Sequence, residues 1–152
     1  MIGNSLGENK PELAKRYFWM TLGISVVVSW LVILMVFIFR ENFAAIYLTK
    51  ESPLHDLMSY GIMFLCFDFI FDLVQGFLHG PVRGLGLQAQ ASYINLFCFY
   101  FLALPLSYYL AFTCDMSIAG LWLGLATGTF SQIWLYMWII LRADWSEIAG
   151  KI

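Results

Sequence analysis

The chain has 152 residues, of which 61% are hydrophobic and only 12% are charged, and its formal net charge is −2. A soluble domain is roughly half apolar and about a quarter charged, and folding at this length hides only about two-thirds of the chain's surface. The composition excludes soluble, disordered and coiled-coil proteins, and the net charge excludes a basic surface for nucleic acid, which leaves a membrane protein.

Four apolar segments are long enough to cross a bilayer as helices, which takes about 20 residues each. In chain order they are residues 17–39, 55–78, 89–112 and 117–141. No segment alternates in polarity at every second residue, as the strands of a membrane β-barrel do. We therefore predict one all-α, polytopic membrane unit over residues 1–152, with segments 1–16 and 142–152 outside the bilayer.

The first 16 residues are polar and lack the early apolar core of a secretory signal, so we expect no signal peptide. Four helices place residues 1–16, the loop near residue 83 and residues 142–152 on one side of the membrane. That side holds six of the eight basic residues, and the other holds two: Lys10, Lys15, Arg16, Arg83, Arg142 and Lys151 against Arg40 and Lys50. Because Lys and Arg are enriched on the cytoplasmic side, both termini are expected in the cytoplasm.

Aromatic residues near the ends of the predicted helices suggest where the membrane interfaces lie. Trp and Tyr are enriched at the level of the lipid headgroups. We expect Trp19 and Trp145 at the cytoplasmic interface, and Tyr47 and Trp122 at the opposite one. The first helix is apolar apart from three small polar residues (Thr21, Ser25 and Ser29), which favours a peripheral position.

A polar stripe runs along the second predicted helix. Asp68, Asp72, Gln75 and His79 follow the spacing i, i+4, i+7, i+11, and Gly61 lies on the same line. At about 100° per residue these side chains fall within an arc of roughly 60°. One aspartate at the centre of a membrane helix costs about 2.5–3.5 kcal/mol on insertion scales. We therefore expect the stripe to face a protein interior or a water-filled cavity.

Three interpretations of the two aspartates remain open. Paired carboxylates in a desolvated site titrate as a coupled unit, which a proton relay requires. The same oxygens could hold Na⁺ with the help of Gln75 or of backbone carbonyls. Alternatively, Asp68 and Asp72 bond to neighbouring polar side chains and only hold helices together. We favour a functional interpretation, because intramembrane charge usually marks an ion or substrate pathway.

The third and fourth predicted helices contain weaker signals. Gln88, Ser92 and Asn95 share one face of the third helix, and Pro105 interrupts its backbone hydrogen bonding. In the fourth helix, a glycine recurs at every fourth position: Gly120, Gly124 and Gly128. Small residues at this spacing let another helix approach closely, so we predict helix packing there.

No catalytic or metal-binding constellation is predicted. No Ser or Cys nucleophile has an obvious base nearby, and the two histidines, His55 and His79, lie at opposite ends of one helix. The three cysteines, Cys66, Cys98 and Cys114, have neither a disulfide framework nor metal-ligand spacing. We therefore expect no enzyme activity, no metal site and no bound cofactor.

Several runs of residues resemble the multidrug and toxic compound extrusion (MATE) transporters. One run is similar to that family's tenth helix and following loop, and comprises Asp72, Gln75, Gly80, Arg83, Gly84, Gly86 and Gln88. Another is similar to its last two helices, and comprises Asn95, Tyr100, Leu104, Pro105, Leu106, Gly120, Trp122, Gly124, Gln132, Asp144, Trp145 and Glu147. Residues 2–7 and 14–16 resemble the motif after its eighth helix.

The resemblance implies a secondary active transporter with twelve helices in two six-helix lobes. Members exchange H⁺ or Na⁺ for organic, often cationic, compounds, so the coupling ion replaces a cofactor. The chain would supply helices nine to twelve of the C-terminal lobe. Asp72 matches the acidic residue implicated in coupling on the tenth helix, and Gln75 matches a frequent neighbour. Asp68 has no counterpart that the resemblance supplies, so its role follows from the stripe alone.

The length of the resemblance predicts what the chain needs from elsewhere. Its partners would be the lipid bilayer, the N-terminal lobe, helices seven and eight, and an organic substrate. Four helices of one lobe have no second bundle to move against, so we expect no transport by these residues alone.

The sequence leaves two alternative functions. The first is a structural or regulatory four-helix protein that docks onto a full transporter through Gly120, Gly124 and Gly128. On that reading, Asp72→Asn leaves activity intact and Gly124→Leu abolishes association. The second is a small membrane enzyme, which the sequence does not favour.

Overall fold

The computed structural model describes residues 1–42 and 55–151, so the predicted interface position of Tyr47 and the loop residue Lys50 lie outside it. The helices that it describes are α1 (Ile2–Gly7), α2 (Pro11–Ile38), α3 (His55–Gly84), α4 (Gln88–Thr113), α5 (Ser117–Arg142) and α6 (Trp145–Lys151). Within this part of the chain, four helices are long and apolar enough to cross a membrane: α2, α3, α4 and α5. The predicted all-α fold with four membrane helices is confirmed.

Two helices extend beyond their predicted apolar segments. Helix α2 begins at Pro11 rather than at residue 17, because proline suits the first helical position and Glu12 favours the positive end of the helix dipole. Helix α3 continues past residue 78, through Pro81, to Gly84. Hydropathy marks only the part of a helix that lipid surrounds, so it misses the turns that project beyond the hydrocarbon.

Helix α3 lies between α2 and α5 and makes its most extensive contacts with these two helices. On the α2 side, Ser25 and Ser29 are fully buried, and their hydroxyls donate to the carbonyls of Leu22 and Ser25, each at 2.7 Å. These small residues allow a close approach without leaving a polar atom unpaired. Most of the remaining surface of α2 is exposed, in agreement with a peripheral position.

The apolar core lies at one end of the bundle. It joins the two terminal helices to the ends of α3 and α5 and to the beginnings of α2 and α4, through residues that include Leu6, Phe18, Val82, Ala91, Ile140 and Trp145. Gly3 and Gly84 approach each other closely there, and this contact brings α1 against the end of α3. The terminal segments and the α3–α4 turn therefore share one end of the molecule.

Trp145 belongs to this core, so it packs inside the protein, and its predicted level at the membrane interface stays a prediction. Only 6% of the residue is exposed, and its ring centroid lies 6.1 Å from that of Phe18. Its indole Nε1 donates to the carbonyl of Ile140 at 3.1 Å. The tryptophan satisfies a carbonyl in the last turn of α5, one that the helix itself leaves without a partner.

Helix α4 passes through Pro105 without ending. Two π-helical stretches, Phe97–Ala103 and Tyr109–Thr113, flank a short α-helical stretch, Leu104–Tyr108. Proline has no N–H to donate, and its ring collides with the carbonyl one turn earlier in a regular α-helix. The wider π turns accommodate that ring and keep the helix continuous.

Candidate functional site

The two aspartates of the polar stripe differ in their surroundings. Asp68 is half-buried, and its Oδ1 is buried with no hydrogen-bond partner among the described residues. Asp72, one turn later, is exposed. The described helices therefore cover Asp68 in part and leave Asp72 open.

Gln75 and His79, the C-terminal half of the stripe, form a polar pair. Gln75 Nε2 lies 3.0 Å from His79 Nε2, and both side chains are partly buried. When the amide N–H donates, His79 Nε2 accepts and the proton of the neutral imidazole is on Nδ1. The imidazole also packs edge-on against Tyr136 of α5, with ring centroids 5.5 Å apart.

Tyr136 is part of a hydrogen-bond network that joins α5 to α4. Gln132 Nε2 donates to the Tyr136 hydroxyl at 2.9 Å and to Asn95 Oδ1 at 3.1 Å. The Tyr136 hydroxyl donates in turn to the carbonyl of Ala91 at 3.4 Å. Both Gln132 and Tyr136 are buried, so these bonds satisfy polar groups that neither water nor lipid reaches.

Sequence reasoning missed the role of this network. Asn95 is predicted only as part of a polar face on its own helix, Gln132 appears only in the family resemblance, and Tyr136 is not singled out from the sequence. A signal was present, since Gln132 and Tyr136 are one turn apart on an otherwise apolar face, and polar groups in a membrane helix turn away from lipid.

An open cavity of about 260 Å³ lies beside this network. Its lining includes His79, Arg83, Gln88, Ser92, Asn95 and Tyr136, so the polar face predicted for α4 does border a cavity. Asp72 and His79 are seven residues apart on α3, which places them within about 20° of each other and about 10 Å apart along the axis. Asp72 therefore lies on the side of α3 that borders the cavity.

The three glycines of α5 lie against α4 within the chain. A methyl group on Gly120 would lie 2.6 Å from the backbone nitrogen of Ala111, and one on Gly128 would lie 2.5 Å from Cβ of Ala103. Gly124 lies against Ser107, whose hydroxyl donates to the carbonyl of Leu121 at 3.0 Å. The glycine face therefore allows close packing of two helices and a hydrogen bond between them.

This arrangement removes the surface that the docking hypothesis requires. Gly120, Gly124 and Gly128 are all buried against α4, so a helix of another protein has no access to them. A four-helix protein that docks onto a transporter through this face is inconsistent with the structure.

Comparisons with known proteins place the chain among transporters. The MatE family model matches residues 1–109. Protein DETOXIFICATION 29 of Arabidopsis thaliana is 27% identical over 149 residues, which cover 98% of this chain and 30% of that protein. Protein DETOXIFICATION 39 of the same plant is 30% identical over 148 residues, which cover 97% and 29%.

A solved structure is similar along almost the whole chain. The crystal structure of the eukaryotic MATE transporter AtDTX14 superimposes with a TM-score of 0.89 at 30% identity, over 99% of this chain and 33% of that one. The chain therefore spans about a third of the length of the proteins that it matches.

Proposed function

The chain belongs to the multidrug and toxic compound extrusion family, whose members are membrane transporters rather than enzymes, and on that premise we propose that it forms the ion-coupling part of an efflux antiporter. The transporter exchanges H⁺ or Na⁺ for organic, often cationic, compounds. Asp72 and Asp68 bind the coupling ion, and Gln75 assists them.

One observation carries this proposal: two acids lie one turn apart within a membrane-spanning helix, and one of their oxygens is buried without a partner. If the two aspartates only held helices together, a buried carboxylate oxygen without a hydrogen bond would lower the stability of the fold. A bound cation offsets that cost at Asp68. Asp72 is open and faces the side of α3 that borders the polar cavity, where ions and water could reach it.

We favour H⁺ over Na⁺ as the coupling ion. A proton binds to a single carboxylate oxygen, whereas a metal cation needs several oxygen ligands at the same time. The Gln75 amide nitrogen is already engaged with His79, so that side chain is oriented before any ion arrives. Asp68 and Asp72 can therefore exchange a proton without recruiting further ligands.

Transport requires more than these residues. Antiporters of this kind alternate by moving one helix bundle against another around a central site, and the chain spans about a third of its relatives. We propose that the remaining parts of both lobes cover the open face of Asp72 and complete the substrate site. In this arrangement, the end of the bundle that holds the terminal helices faces the cytoplasm, as the distribution of basic residues predicts.

The test is efflux of a fluorescent organic cation by the complete transporter that contains this chain, in cells that lack their own pumps. Asp72→Asn removes the charge and keeps the shape, and we expect it to abolish efflux. The matched control is Asp115→Asn, because Asp115 is exposed between α4 and α5 and its φ of 54° suits asparagine equally well. Normal efflux by the Asp72 variant would contradict the proposal.

A further inference from the structure

A second cavity lies at the end of the bundle that holds the apolar core, and neither Asp68 nor Asp72 lines it. Its volume is about 400 Å³, and it lies between the first turns of α2, the last turn of α5 and the beginning of α6. Lys15 and Arg142 contribute its positive charges, and Phe18, Trp19 and Trp145 contribute its aromatic surfaces. None of the residues proposed to bind the coupling ion lines this cavity.

The cavity has a buried aromatic inner wall and an apolar outer rim. Phe18 and Trp145 are almost fully buried, and they close the cavity toward the core. Trp19 and Leu141, in contrast, are 55% and 57% exposed on the outer surface of membrane helices. A ligand that fills the cavity therefore contacts both cations and exposed apolar side chains.

Neither cation is held in a buried ion pair among the described residues. The Arg142 guanidinium is stacked 4.6 Å from the ring centre of Trp138 and has no ion-pair partner among the described residues. Lys15 contacts Glu12 at 2.9 Å, but the glutamate side chain is 83% exposed, and such pairs contribute little. The one acid that lines the cavity, Asp144, accepts the backbone N–H groups of Ser146 and Glu147 at 3.0 Å.

From this geometry we infer that the cavity binds the phosphate of an anionic phospholipid, with Lys15 and Arg142 on the headgroup and the acyl chains along Trp19 and Leu141. Basic pockets between membrane helices are suited to such headgroups, and tryptophan is favoured at their depth. Free inorganic phosphate satisfies the same cations, but it leaves the exposed apolar rim without a partner. The rim therefore favours the lipid.

The test is lipid binding by the full chain in neutral detergent, measured by native mass spectrometry and by the shift in melting temperature. The probes are phosphatidylglycerol, phosphatidylcholine and inorganic phosphate. We expect phosphatidylglycerol to remain bound and to raise the melting temperature. We expect the other two probes to have no effect at the same concentration. Equal shifts with phosphatidylglycerol and phosphatidylcholine, or a shift with inorganic phosphate alone, would overturn the assignment.

Variants locate the site. Arg142→Gln and Lys15→Gln should each weaken phosphatidylglycerol binding about fivefold, the usual effect of one cation near an anionic membrane. The matched control is Arg40→Gln, because Arg40 also stacks on an aromatic ring, 4.8 Å from the centre of Phe37, but does not line this cavity. If Arg142→Gln fails to fold, Arg142→Lys keeps the charge and should retain binding. Equal losses in the Arg40 and Lys15 variants would refute the site.

Discussion

The contact between α4 and α5 gives a prediction of stability with a definite sign. In Gly124→Ala the new methyl group collides with the backbone and hydroxyl of Ser107. Overpacking of this kind costs about 1–3 kcal/mol, and displacing the Ser107 hydroxyl from the carbonyl of Leu121 costs about 1 kcal/mol more. Alanine regains up to about 1 kcal/mol of helix propensity. The free energy of unfolding should therefore fall by about 1–3 kcal/mol.

The matched control is Gly23→Ala. Gly23 lies in α2, and a methyl group there would meet nothing within 4 Å, so only the propensity gain remains. Its free energy of unfolding should be unchanged or higher by up to about 1 kcal/mol. Both variants can be unfolded by increasing the fraction of dodecyl sulfate in mixed micelles, with helicity followed by circular dichroism. If Gly124→Ala is as stable as Gly23→Ala, the close contact between α4 and α5 is incorrect.

Three further predictions concern single hydrogen bonds. Tyr136→Phe should lower the free energy of unfolding by about 1–2 kcal/mol in the same micelle assay, because it removes the buried hydroxyl that joins α4 to α5. Trp145→Phe should lower it by about 1 kcal/mol, because the carbonyl of Ile140 loses its donor; protease sensitivity of the C-terminal helix reports the same loss. The hydrogen bond and charge of Lys10 hold the pKa of Glu8 below its ordinary value, so Lys10→Ala should raise that pKa in a carboxyl NMR titration. Because the pKa of Glu8 is lower in the folded protein, its contact with Lys10 stabilises the folded state at a pH above the ordinary pKa of a glutamate. This stabilisation is lost as the pH falls through the pKa of Glu8 in the folded protein.

The membrane helices could be predicted from the sequence because hydropathy depends only on which residues are consecutive. The ends of the helices could not be predicted in this way. Helix α2 begins at Pro11 because of local capping preferences, and α3 reaches Gly84 because Gly3 of α1 packs against it. Trp145 shows the same limitation, because its burial depends on α6 packing against Phe18.

The candidate site was predicted in part. Helical periodicity places Asp68, Asp72 and His79 on one face, since their relative angles follow from the spacing alone. Periodicity does not indicate which neighbour each side chain meets. The bond from Gln132 to Asn95 joins residues 37 positions apart, and such pairs depend on how two helices pack. The exposure of Asp72 likewise depends on which helices surround α3.

The central claim is that Asp72 couples substrate movement to a proton, and proton movement tests it most directly. The complete transporter is reconstituted in liposomes that contain a pH-sensitive dye, and an organic cation is added outside. We predict that substrate entry drives protons out, that Asp72→Asn abolishes this proton flux, and that Asp115→Asn does not. Undiminished proton flux in the Asp72 variant, or substrate entry that drives Na⁺ out with no proton movement, would contradict the account.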